Sequence, residues 1–157
     1  MNPAVPASSS THRRGPAAVS LALMLLAGAP ALAASPGLTI SHPWMRFLTP
    51  QIPAAGYFSL HNATSHPAVL TGAASPDCGQ LMLHRSVVQN GMAKMEMVAS
   101  ITVPAHGSVT FHPGGYHLMC MSPSAAIAPG GHVPVSLTFK DGGSMTVEFP
   151  VYGAKGK

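Results

Sequence analysis

The stretch Leu81-Met-Leu-His-Arg-Ser-Val-Val-Gln-Asn90-Gly91-Met-Ala-Lys-Met-Glu-Met97 decides the fold. Asn-Gly is the favoured pair for a two-residue hairpin turn, whose central residues both need positive φ, and the runs on either side are strand-like. With Asn90 and Gly91 as the turn, Gln89 faces Met92, Ser86 faces Met95 and His84 faces Met97. His84 and Met95 are then diagonal neighbours on one face, roughly 7–8 Å apart at the backbone, a gap that a long thioether side chain spans. Met97 lies directly opposite His84, so on strand geometry alone either methionine can partner that histidine.

The rest of the chain has the same character: short apolar runs broken by Pro, Gly, Asn and Asp, with Val, Ile, Leu, Thr and Phe in alternation. The predicted strands are Leu38 to Met45, Ala55 to Asn62, Ala68 to Ala74, Gln80 to Val88, Ala93 to Val103, Ser108 to Phe111, Tyr116 to Met121, Val133 to Phe139 and Ser144 to Val151. Nine short strands at regular spacing predict an all-β antiparallel sandwich or barrel. No segment sustains a 3.6-residue period, and the small-residue stretch Ser122 to Gly131 is expected to be a loop.

The beginning of the chain reads as an address rather than as structure. Arg13 and Arg14 precede an almost wholly apolar run from Ala17 to Pro30, and Ala31-Leu32-Ala33 supplies the small residues that signal peptidase accepts. Residues 1–33 are therefore expected to be a signal peptide cut after Ala33, leaving 34–157 as one domain. The apolar run is short for a membrane span, no second one follows, and no cysteine follows the small residues to take a lipid. Gly15-Pro16 stand where a twin-arginine signal needs hydrophobic residues, so Sec export and a protein not inserted in the membrane are expected.

Composition narrows the function. Eight Lys and Arg, less Arg13 and Arg14, leave six against four Asp and Glu, with no basic cluster to grip phosphate, so nucleic acid is excluded as a partner. Asp77, Glu96, Asp141 and Glu148 are the only carboxylates and form no acid–base pair in sequence, so the chain is not expected to be a conventional enzyme. Cys78 and Cys120 make no C-x-x-C pair, and their spacing leaves open whether they are bonded.

The donors that stand out are His84-x10-Met95-x21-His117-x-Met119. On the later strand His117, Met119 and Met121 alternate onto one face while Leu118 and Cys120 take the other. Pro113-Gly114-Gly115 before them is a turn that presents His117 at an edge. Thioether sulfur is a soft donor that favours Cu(I), and imidazole binds copper readily. His42, His61, His66, His106, His112 and His132 lie near Pro, Gly or Asn and are expected to be exposed. Met82, Met92 and Met121 are expected to pack around the donors or shield them, with Met121 or Met97 left as a donor in some state, and Trp44 and Tyr57 to be core aromatics.

This spacing resembles the periplasmic copper chaperone family PCuAC, whose signature is His, ten residues, Met, twenty-one residues, His, one residue, Met. The segments Leu81 to His84, Gly91 to Met95, Pro113 to Met119, Leu137 to Gly143, Trp44 to Arg46 and Ala54 to Tyr57 also look like the family's, so the resemblance runs through the whole mature chain. It implies a cupredoxin-like β-sandwich and a periplasmic monomer binding one Cu(I) through His84, Met95, His117 and Met119. It further implies delivery to cytochrome c oxidase copper centres, directly or with a thioredoxin-like assembly protein. On this ground Met95 is preferred to Met97. The chain departs from the family at Ser86, where members often carry Met. It also ends Gly153-Ala-Lys-Gly-Lys157 where many have a His- and Met-rich tail, so no second, Cu(II), site is expected there.

Three rival readings are an electron-transfer cupredoxin, which needs a Cys thiolate beside two His and a weak Met, a redox enzyme using Cys78 and Cys120, which lacks a C-x-x-C pair, and a metal-free binding module on the same sandwich.

Overall fold

The computed structural model describes Met1 and residues 35–154, and the signal peptide expected over residues 1–33 lies outside the described residues. Ten strands follow one another: β1 (Leu38–Arg46), β2 (Ala54–Asn62), β3 (Ala68–Ala74), β4 (Cys78–Gln89), β5 (Met92–Met97), β6 (Ile101–Val103), β7 (Ser108–Phe111), β8 (Tyr116–Pro123), β9 (His132–Phe139) and β10 (Ser144–Tyr152). Hydrogen bonding links them in the order β5-β4-β8-β7-β2-β1-β10-β9-β3-β6. A short parallel pairing of β1 with β10, Met45 to Val151 and Arg46 to Tyr152, joins a six-strand and a four-strand part. Inward side chains of both parts meet in one apolar cluster that includes Met45, Phe58, Leu83 and Leu118 on one side and Leu70, Val135, Leu137 and Phe149 on the other. This is the all-β, cupredoxin-like or immunoglobulin-like sandwich that the alternation predicts.

The hairpin register is the one counted from Asn90-Gly91: Gln89 pairs Met92, Ser86 pairs Met95 and His84 pairs Met97. Asn90 at φ 53° and Gly91 at φ 75° supply the two positive values the tight turn demands.

Three expectations need correction. The strand expected over Ala93–Val103 is two strands: β5 stays beside β4, whereas β6 pairs with β3 in the other part of the sheet. The break serves the core, because crossing between layers lets Ile101 and Val103 become buried. Tyr57 is buried as expected, 3% exposed, but Trp44 is only half-buried and stands outside the central cluster. They stack on each other at 4.6 Å with the Arg46 guanidinium 5.7 Å from the Tyr57 ring. Met92, expected to pack, is 70% exposed at the hairpin turn. The six solitary histidines are all exposed, as expected.

Asn62, at the end of β2, is fully buried. Its Nδ2 donates to the carbonyls of His66 (2.8 Å) and Pro104 (3.2 Å), and its Oδ1 accepts from Thr64 N (3.0 Å) and Thr64 Oγ1 (2.7 Å). Asn62→Leu fills the space yet leaves Thr64 N without its acceptor and takes one donor from each carbonyl, His66 O keeping Thr64 Oγ1 and Pro104 O keeping Gly107 N. A loss of about 2–3 kcal/mol is expected in urea denaturation.

Candidate metal centre

The site is built on β4 and β8, antiparallel neighbours in which His84 pairs His117 and Met82 pairs Met119. On β4, Leu81 and Leu83 enter the core, so Met82, His84 and Ser86 take the opposite face. On β8, Leu118 and Cys120 enter the core, and His117, Met119 and Met121 share the face with His84. The edge strand β5 adds Met95 and Met97, the cross-strand partners of Ser86 and His84.

The two imidazoles approach edge to face, with ring centroids 5.8 Å apart. His117 is only 5% exposed. Its Nδ1–H donates to the Gly115 carbonyl at 3.1 Å, which leaves Nε2 as the unprotonated, lone-pair nitrogen, buried and without a partner. Ligating histidines commonly hand their other N–H to a backbone carbonyl in this way. The Gly115 carbonyl is itself held, accepting from Ser86 N at 3.1 Å, and the turn before it closes by a bond from Gly115 N to His112 O (2.9 Å), with Gly114 at φ 82°. That φ is the value that Pro113-Gly114 in a type II turn requires. On the other ring, His84 Nδ1 is also buried with no partner. Two buried imidazole nitrogens without hydrogen-bond partners would each cost stability in an ordinary core.

Beside His117 lies a cleft of about 310 Å³ whose lining includes Met95, His117 and Met119 together with Leu48 and Ile52; His84 does not line it. The structure thus brings Met95, His117 and Met119 to one cleft and His84 against His117. Met95 is 59% exposed, so the cleft opens to solvent on the hairpin side. Leu48 and Ile52, which wall the cleft from the loop after β1, were not singled out from the sequence, because nothing local in Phe47 to Pro53 tells that the loop folds back over the sheet.

Cys78 and Cys120 form a disulfide, Cα to Cα 5.3 Å, and no free cysteine remains. Among the described residues no three His, Cys, Asp or Glu side chains converge. Neither a cupredoxin thiolate nor a carboxylate cluster can form here, so the donors available at the cleft are imidazole and thioether. Residues 38–151 match the LpqE-like family, described as "Putative lipoprotein LpqE-like", a PCuAC family. The chain belongs to the PCuAC family.

A relative from Leifsonia xyli subsp. xyli, "Putative lipoprotein Lxx21020", is 32% identical over 116 residues, or 73% of this chain and 69% of the relative. Among solved structures, the Cu(I) form of DR1885 from Deinococcus radiodurans is 32% identical, with a TM-score of 0.61 over 76% of this chain and 80% of that one. The copper-bound PCuAC domain from PmoF2 is 25% identical, with a TM-score of 0.63 over 74% of this chain and 93% of that one.

In this PCuAC protein burial of the ring, and secondarily the charge His117 would carry, hold the His84 imidazole below its ordinary value of 6.5. Between that lowered value and 6.5 the unfolded chain binds more protons than the folded one at this position. The contribution to folding is therefore complete above 6.5 and declines as pH falls through the window. The urea midpoint is expected to drop between about pH 7.5 and about pH 5.5, and to drop less in His84→Gln. An equal pH dependence in both proteins would refute the assignment.

Proposed function

We propose that this protein is an exported copper carrier that holds one Cu(I) per chain through His84, Met95, His117 and Met119 and delivers it to cytochrome c oxidase copper centres. The observation that carries this reading is the pair of buried, partnerless imidazole nitrogens, His84 Nδ1 and His117 Nε2, on rings 5.8 Å apart beside a thioether-lined cleft. Soft, neutral donors select Cu(I) over harder divalent ions, and relatives of this fold carry copper in their solved structures.

Transfer, not catalysis, suits the geometry. Met95 is the exposed donor, so an incoming cysteine or histidine of the acceptor attacks the copper there and displaces a thioether before the buried His117 lets go. The copper remains Cu(I), and no group at the site has to lose a proton, because thioethers and neutral imidazoles bind as they stand. Acidification releases the ion by protonating His84 and His117. The bonded cysteine pair and the apolar leader suit a periplasmic location, where disulfides persist. The partner is an oxidase copper-centre subunit or a thioredoxin-like assembly protein, and the carrier acts as a monomer.

An anaerobic Cu(I) titration of the purified protein against a competing chelator is expected to show one tight equivalent, with two nitrogen and two sulfur donors by X-ray absorption. Mixing the loaded protein with the soluble copper-centre domain of an oxidase is expected to move the ion. Absence of a tight equivalent overturns the carrier reading, and tight binding without transfer overturns the acceptor.

A further inference from the structure

The sheet ends at β5, whose outer side no strand covers among the described residues. An edge left open in this way is a ready template for another strand, and proteins usually blunt it with charge, brevity or a bulge. The opposite end of the sheet, β6, is brief, only three residues. β5 has six, runs beside β4 without a register shift, and lies on a hairpin that carries four exposed large apolar side chains, Val88, Met92, Met95 and Met97.

Which backbone groups β5 offers follows from the turn. In a two-residue hairpin the residues flanking the turn, here Gln89 and Met92, form a hydrogen-bonded pair, and bonded and non-bonded pairs alternate from there. Two bonds confirm the phase: Val98 N donates to Leu83 O on β4, whereas Ser86, opposite Met95, turns its N–H away from β5 to Gly115 O. Met92, Lys94 and Glu96 therefore aim their N–H and C=O groups at β4, and those of Ala93, Met95 and Met97 point outwards from the sheet.

The charges on the edge select what fits it. Lys94 and Glu96 share the face opposite Met95. Glu96 accepts from the Arg85 guanidinium at 3.3 Å, and Lys94 has no carboxylate partner among the described residues. Laid antiparallel against a second β5 with Met95 opposite Met95, the strand pairs Ala93 with Met97 of the other copy on both sides, and each of these pairs exchanges both backbone bonds. Lys94 of each copy then faces Glu96 of the other at non-bonded positions, where opposed side chains are closest. Sliding the register by two residues sets Lys94 against Lys94 in one direction and Glu96 against Glu96 in the other, so like charges reject both neighbouring registers.

We propose that β5 is a self-docking edge, at which a second copy of this chain adds its own β5 in the Met95-to-Met95 register and extends the sheet across a two-fold axis. The pairing stands whether or not the cleft holds copper. A strand of six residues buries less than about 1,000 Å² in such a contact, so the pair is weak and reversible and single copies prevail in dilute solution. In the pair the two Met95 side chains lie side by side on the donor face, so the thioether that a single copy opens to solvent is shielded.

Sedimentation equilibrium of the purified, metal-free protein from about 20 μM to about 1 mM tests the edge, in wild type, Lys94→Glu, Glu96→Lys and Ala93→Pro. The wild-type mass is expected to rise towards that of two chains, with concentration-dependent amide shifts confined to β5 and its turn. Lys94→Glu and Glu96→Lys alone are each expected to associate at least about fivefold more weakly, and an equimolar mixture of the two to recover wild-type association, because each copy then meets the opposite charge. Ala93→Pro removes an outward N–H while leaving the ladder to β4 complete, and is expected to abolish pairing in a protein whose amide spectrum shows the fold intact. A single-chain mass at every concentration overturns the proposal. Association that survives Ala93→Pro, or that ignores both charge changes, also overturns it by placing the contact on another surface. Failure of the mixture to recover overturns the Met95-to-Met95 register.

Discussion

Replacing His117 and Met119 together by alanine is expected to weaken Cu(I) binding by at least about a hundredfold while the domain stays folded. The size follows from what the two side chains are. His117 is the donor whose geometry is already set: its Nδ1–H is committed to Gly115 O, its Nε2 is buried and free, and little motion is needed to accept an ion. Met119, two residues on, shares that face and lines the same cleft. Without them, His84 and Met95 remain as a diagonal pair that must reach across a hairpin. The change also relieves part of the burial that chiefly lowers His84 and removes the neighbouring His117 charge that adds to it, so the His84 imidazole in the double variant should titrate nearer its ordinary value. Competitive titration and an NMR pH titration check the two halves. An unaltered affinity in a folded double variant would refute the site.

The second large effect concerns stability. Cys78→Ala/Cys120→Ala, or reduction in the wild type, is expected to cost about 4 kcal/mol, because the bond closes a loop across 42 positions in the unfolded chain. For a domain of this size that corresponds to a fall in Tm on the order of 10–20 °C. Copper binding well below the new Tm should survive. Cys120 is fully buried in the core on the opposite side of β8 from His117 and Met119, so the disulfide fastens the β4–β8 pair without contributing to the donor face. Calorimetry with and without reductant measures the first claim. A Cu(I) affinity lowered in step with stability would show that the site depends on the crosslink.

The cysteines illustrate where sequence reading stops. Period-2 alternation and an Asn-Gly turn act over a few residues, and the His84–Met97 register follows from them by counting. Cys78 and Cys120 come together only because β4 and β8 pair, a contact between distant segments that no local rule specifies. The same holds for the division of Ala93–Val103 into β5 and β6, where alternation continues but the hydrogen-bonding partner changes from β4 to β3.

The amino-acid sequence by itself determined the strand-rich class and the hairpin register and singled out His84, Met95, His117 and Met119 as candidate donors, with Met95 chosen over Met97 only by family resemblance, because side-chain alternation, turn chemistry and ligand softness are properties of residues and their near neighbours. Tertiary structure alone decided that His84 Nδ1 and His117 Nε2 end up buried without partners, that Leu48 and Ile52 wall the cleft, and that both thiols are consumed in a bond. Each of these depends on which strands lie side by side and which loop folds over them, and that is settled by burying one common core rather than by any segment's own preference.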